Sequence, residues 1–204
     1  MILKPDEAMK GVFKLHGHES PGTAVGAFMT EYAAELLGKL YGIDIKNDET
    51  AKNIYAAAET DVCLPDSIQV MTHCTIGNGK LRVLGWGKFA LTLYYYNKHE
   101  GGDKNNGKGV RVRIITGEEK QKKYRDFYDW FLKRKSKHEL PKERVIEDIK
   151  RAKREILDYQ EVRVKGSGSV KFAIMFCEKC GEPCPKADNG LCRGCISQKY
   201  YTTK

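Results

Sequence analysis

Seven cysteines and five histidines carry most of the reactive chemistry in this 204-residue chain. Five of the cysteines crowd into Phe176 to Ile196, FCEKCGEPCPKADNGLCRGCI. Cys177-x2-Cys180 and Cys192-x2-Cys195 are separated by eleven residues. Each CxxC knuckle can place two thiolates on one metal at about 2.3 Å. The expectation is a structural, tetrahedral zinc, with iron in the same four-sulfur site as the main competitor. Gly181 and Gly194 adjoin the second cysteine of each pair, where a tight knuckle needs small residues. Cys184 is left over; it could replace Cys180, but the two-knuckle pattern is better without it. So short a segment buries little core, so metal binding should largely fold it.

A second set of residues lies near the start. His16-Gly17-His18 puts two imidazoles one residue apart. In an extended segment they would face the same side and suit one metal; the plain alternative is two surface histidines. Ser20-Pro21 then reads as an N-cap and first helical residue. Cys63 stands just ahead of another helix start at Pro65. A cysteine there, close to imidazoles, is a better ligand or nucleophile. His73-Cys74 comes near the far end of that helix. His16, His18 and Cys63 are therefore expected to converge, with Asp61 or Asp66 as a carboxylate at the edge.

The elements that must position these groups follow from periodicity. Val25, Met29, Tyr32, Ala33, Leu36 and Leu40 recur at helical spacing, and Gly42 ends that helix. Lys52 to Ala58 is a short candidate strand. Leu81 to Leu84, Phe89 to Tyr95 and Val110 to Ile115 read as strands, and Gly77-Asn78-Gly79 as a turn. Gly101 to Gly109 reads as a glycine-rich loop. Tyr124, Phe127, Tyr128 and Phe131 form an aromatic helical stripe that is either core or a partner interface. Leu140-Pro141 breaks that helix. A charged helix follows with Val145, Ile149, Ala152 and Ile156 on one face, then a strand over 161–164. Gly166 to Ser169 reads as a flexible joint.

Net charge is +9. Residues 1–117 hold 14 Lys+Arg against 13 Asp+Glu, and residues 118–204 hold 22 against 14. The basic character thus belongs to the C-terminal part. It suits nucleic acid or an acidic partner, or simply a solvated helix surface with interleaved acids. No run approaches the roughly 18 apolar residues of a membrane helix. The first residues lack a signal-peptide pattern, so a soluble cytoplasmic protein is expected. Without a secretion signal, close CxxC pairs favour metal over disulfides.

HGHESPGTAVGAFM, followed by ETDVCLPDSIQVMTHCTIGNGKLRVLGWGKFALTLY, resembles the FmdE family, named for the E chain of formylmethanofuran dehydrogenase. The resemblance covers residues 11–115, and the cysteine knot at 177–195 also occurs in many members. His16, His18, Cys63 and Cys74 match the family pattern. Ser20 stands where the family usually has cysteine, which removes one thiolate. His73 stands where a small residue is usual and offers a substitute nitrogen. The resemblance implies an α+β core, commonly dimeric, with a metal- or redox-linked role.

The expected fold is α+β, an antiparallel sheet packed with helices plus a small zinc-ribbon-type domain. The core would span 1–165, with a helical extension over about 118–160, and the four-cysteine domain 170–204. The expected function is that of a metal-binding accessory subunit or enzyme-like protein linked to redox or one-carbon metabolism. Its cofactors would be structural zinc at Cys177, Cys180, Cys192 and Cys195, and a second ion, again zinc, at His16, His18, Cys63 and Cys74. The expected partners are a second copy of the chain and a larger oxidoreductase complex. The alternative is a zinc-ribbon module that binds nucleic acid or protein, with the core as scaffold.

Overall fold

A computed structural model of the chain describes residues 4–45, 47–72, 74–96, 106–165 and 173–197. His73, most of the glycine-rich loop (101–105) and the joint at 166–169 lie outside the described residues. The chain divides into two compact units, Met1–Ser167 and Gly168–Lys204.

In the first unit, α1 (Pro5–His16) leads into α2 (Pro21–Tyr41) and the short α3 (Asp48–Ala51). Strand β1 (Ile54–Ala58) is followed by α4 (Leu64–Thr72), β2 (Leu81–Val83), β3 (Ala90–Tyr95) and β4 (Asn106–Ile114). Then come α5 (Glu118–Lys123), α6 (Arg125–Phe131), α7 (Lys142–Ala152), a 3-10 turn (Lys153–Ile156) and β5 (Leu157–Lys165). The strands form one five-stranded sheet in the order β2-β1-β3-β4-β5. Its pairs are antiparallel except β1 with β2, which run parallel because α4 crosses over between them. The sheet is therefore mixed at that edge, not antiparallel throughout.

Register places Ala56, Leu93 and Val110 side by side, with Ala58, Leu91 and Val112 in the next row. All six are fully buried. Burying such a Val or Leu contributes about 1.5–3 kcal/mol relative to leaving it exposed. Helix α2 packs against this sheet and against α1 and α4. Every residue from Pro21 to Thr30 is buried. The N-terminal half of α2 is thus enclosed all round, and Tyr32 and Leu40 lie on its half-buried remainder.

Two further local expectations change. Pro5–His16 is a helix that the periodicity above does not include; Pro5 at its first turn and Gly17 at its C-cap bracket it. The aromatic stripe is split at Tyr124 between α5 and α6. Tyr124, Phe127 and Tyr128 are buried, so within this unit they are core. Tyr128 hydroxyl donates to the Ile115 carbonyl (2.6 Å). Val145, Ile149, Ala152 and Ile156 are buried as one face, as their spacing predicts. Among the described residues no helix is long and apolar enough to cross a membrane.

In the second unit, β6 (Ile174–Phe176) pairs antiparallel with β7 (Pro183–Pro185), and α8 (Arg193–Ile196) follows.

Candidate metal centres

The four cysteines of the second unit come together. The ligand atoms of Cys177, Cys180, Cys192 and Cys195 all lie within 4.8 Å of one another. Cys180 and Cys192 sulfurs are 3.9 Å apart, close to the edge of about 3.8 Å that two sulfurs at 2.3 Å on a tetrahedral metal would make. The first knuckle is built by the Gly181 amide, which donates to the Cys177 carbonyl (2.8 Å). Gly181 takes φ +74, where a side chain would be strained. Gly194 has no such role: it sits in α8, outside the positive-φ set. Cys184 is buried on β7 and paired in register with Met175, outside the four-sulfur group.

The thiols of this knot do not titrate alike. The Cys192 amide donates to Cys177 Sγ (3.3 Å). That bond, with the Cys180 amide, draws the Cys177 thiol down to about 6. The neighbouring Cys192 side chain pushes Cys195 up to about 12. Thiolates this close repel, so they cannot all ionise until a cation stands between them. The donor set is that of a four-thiolate metal site.

The N-terminal set is built at the meeting of three helix ends. His16 is the last residue of α1, and Gly17 turns the chain at φ +86. The stretch is therefore not extended; the left-handed glycine brings the His18 ring beside that of His16, with centroids 4.6 Å apart. Cys63 immediately precedes α4 and holds φ +55. For a residue with a side chain that conformation costs roughly 1–2 kcal/mol. It aims Cys63 Sγ toward α1 and α2. His16 spans the gap: its Nδ1 donates to Asp66 Oδ2 (2.7 Å), and its Nε2 lies 3.9 Å from Cys63 Sγ. An ionised carboxylate only accepts, so Nδ1 carries the proton of that bond, and in the neutral imidazole the Nε2 lone pair faces the sulfur.

Ser20 is the N-cap residue of α2, but its side chain makes no capping bond. Its hydroxyl lies 3.6 Å from Cys63 Sγ instead. Thr23 hydroxyl donates to the Ser20 carbonyl (2.8 Å) and holds that turn. Helix α2 approaches Cys63 and α4 closely because Gly22 and Gly26 of α2 face them. A Cβ on Gly22 would lie 2.7 Å from Cys63 Sγ, and one on Gly26 2.6 Å from Ser67 Oγ. Two glycines four apart in the first turns of a helix are the one sequence signal for this contact, and helical periodicity alone does not pick them out.

The loop that carries Cys63 is anchored at Glu59. The Glu59 carboxylate is only 6% exposed and accepts from Arg111 Nε (2.6 Å) and Nη2 (2.7 Å). Its carbonyl accepts from the Trp86 amide (2.8 Å) and its amide donates to the Ala90 carbonyl (2.9 Å). This anchor is invisible in sequence because Arg111 arrives from β4.

Cys74 is not part of this cluster. It follows the C-terminus of α4, whereas Cys63 precedes its N-terminus, and nine helical residues span about 13 Å. Its thiol is fully buried, donates to the Ile54 carbonyl (3.4 Å), and burial pushes its pKa up. Asp66, one of two carboxylates offered by the sequence, is the one that reaches His16; Asp61 is exposed. Among the described residues, the four-cysteine knot is the one group of three or more ligating side chains already within 4.8 Å of each other.

The basic surface of 118–156 is partly paired with acids of the same stretch. Lys123 meets Glu155, Lys135 meets Asp129, Arg144 meets Asp126, and Arg151 meets Asp148.

Comparison with known proteins matches residues 15–165 to the family model described as FmdE, Molybdenum formylmethanofuran dehydrogenase operon. A curated relative from Archaeoglobus fulgidus, named as a probable S-adenosyl-L-methionine-binding protein, is 30% identical over 205 residues. That match covers 92% of this chain and 52% of the relative, so the chain spans about half the length of the curated protein. The crystal structure of a tungsten formylmethanofuran dehydrogenase FmdE-like protein from Syntrophus aciditrophicus has 32% sequence identity and a TM-score of 0.74. The superposition covers 97% of this chain and 95% of that one.

Proposed function

The chain belongs to the FmdE family, and from that premise we propose that it is a two-metal protein whose working centre is at His16, His18 and Cys63. The four-cysteine knot holds a structural zinc. The second centre serves redox or one-carbon chemistry, in an accessory subunit or an enzyme-like protein. The observation that carries the reading is the use His16 makes of its two nitrogens. One is fixed by Asp66 at 2.7 Å and the other faces a thiol at 3.9 Å. A histidine that ligates a metal commonly donates its other N–H to a carboxylate in this way. A nitrogen and a sulfur on one tetrahedral zinc would be about 3.6 Å apart, so the observed gap suits a shared ion.

A divalent metal there would polarise a carbonyl or lower the pKa of a bound water. The protein supplies the rest. Asp66 holds the His16 tautomer and ring orientation. The Glu59–Arg111 anchor fixes the loop that presents Cys63. Gly22 leaves room for the sulfur beside the first turn of α2. In this reading the chain acts as a homodimer or docked in a larger oxidoreductase complex rather than on nucleic acid, since several basic side chains of 118–156 already have acidic partners.

Elemental analysis of anaerobically purified full-length protein tests the proposal. Wild type should carry two metals per chain. Cys180→Ser should lose one of them, and His16→Ala with Cys63→Ala should lose the other. One metal in wild type, unaffected by the second variant, would sink the second centre and favour a binding or docking module.

A further inference from the structure

Ser20 is 8% exposed and begins a helix of 21 residues, yet its hydroxyl caps nothing. An N-cap serine that bonds an N2 or N3 amide contributes about 1 kcal/mol to its helix. Here the hydroxyl is turned to Cys63 Sγ at 3.6 Å. That separation is close to the roughly 3.8 Å expected of two sulfurs on one tetrahedral metal. Oγ thus occupies the place from which a second thiolate would ligate. A neutral serine hydroxyl is not among the usual protein ligands of zinc, which are thiolate, imidazole and carboxylate. It is a competent donor to a thiolate.

We propose that Ser20 keeps the second centre open: its hydroxyl donates to Cys63 Sγ where a thiolate would close a four-ligand site, so the fourth ligand is an exchangeable water or small anion from solution. This rests on the metal reading above. The N-terminus of α2, whose first-turn amides lack a side-chain cap, favours an anion beside it, while the Asp66 carboxylate on His16 offsets the positive charge that a divalent ion with one thiolate would keep. Closed four-ligand sites are the structural kind, and three protein ligands with an open position are the catalytic kind. One oxygen in place of one sulfur therefore separates a stapling role from a ligand-exchanging one.

Cadmium-113 NMR of the full chain, loaded with two equivalents of cadmium under reductant, reads both centres at once. Four thiolates place the knot's resonance well downfield of a centre with one thiolate. In wild type the upfield resonance should move on titration with sodium azide, while the downfield one stays. In Ser20→Cys the upfield resonance should shift downfield, cadmium affinity should rise at least tenfold, and the azide response should vanish. Ser20→Ala, which removes the hydroxyl without adding a ligand, should keep the azide response and shows that the fold tolerates change at this position. An unchanged resonance in Ser20→Cys, or a wild-type resonance indifferent to azide, would overturn the open-site proposal while leaving the metal centre standing. One bound cadmium with a single downfield resonance would overturn the metal reading and this proposal with it.

Discussion

Cys63 holds a backbone conformation that its own side chain resists, and replacing it in two ways measures how much. Its φ is +55, in the left-handed region. For an L-residue that region costs roughly 1–2 kcal/mol, and glycine escapes the cost. Cys63→Ala and Cys63→Gly both remove the sulfur, so any metal effect is common to both. They differ by one methyl group. At an ordinary position alanine is the more stable by about 0.5–1 kcal/mol. Here the order should reverse: the left-handed cost less glycine's entropic penalty leaves glycine ahead by about 0.5–1 kcal/mol. The unit that contains Cys63 runs from Met1 to Ser167. For 150–250 residues, 1 kcal/mol moves Tm by about 2–4 °C. Cys63→Gly should therefore melt about 1–4 °C above Cys63→Ala. Circular dichroism melts with a chelator present should read this unit, because a knot stripped of metal is expected to have little structure left to unfold. Equal melting points, or alanine ahead, would refute the reasoning: the loop would then relax out of the strained conformation, and the presentation of Cys63 toward His16 would not be held by the fold. Strain retained at a reactive side chain is common where geometry serves function.

Gly22→Ala should lower stability by about 1–3 kcal/mol through overpacking, offset by at most about 1 kcal/mol of helix propensity; in a Cys63→Gly background most of that loss should disappear, because both the sulfur and the Cβ it would strike are gone. Arg111→Ala should cost about 3–5 kcal/mol in chemical denaturation, because it strands the buried Glu59 carboxylate, and adding Glu59→Gln should recover part of it. Zinc uptake by the metal-free protein at pH 7 in weak buffer should release at least two protons, one each from Cys180 and Cys195. The Glu182 amide draws the Cys180 thiol down, but burial and the Cys177 side chain together outweigh it, and Cys192 raises Cys195. Groups raised in this way stay protonated at neutral pH, so zinc affinity should fall as pH is lowered. A pH indicator reads the release directly, and uptake without release would contradict the thiol assignments.

Much of this molecule is legible one residue at a time. The CxxC spacing implies a four-sulfur cluster because two knuckles need only local turns to place their thiols. The buried face of α7 follows from period, as do the strands around Leu91 and Val112. HGHESPG announces a helix start and a reactive neighbourhood. The tertiary structure decides what those groups do. Cys63 and Cys74 both match the family pattern, but α4 holds them at opposite ends, because a rigid helix separates its flanks by its own length. His16 becomes a bridge only when Asp66 and Cys63 arrive at its two nitrogens. Ser20 is a cap by type and position, and turns away once Gly22 lets the Cys63 loop come close. Residue type and spacing determine which chemistry is available; the packing of α1, α2 and α4, contacts made across about 50 residues of chain, determines which atoms meet. Such long-range approaches depend on the missing Cβ at Gly22 and on an ion pair from a distant strand, and neither leaves a periodic mark in the sequence.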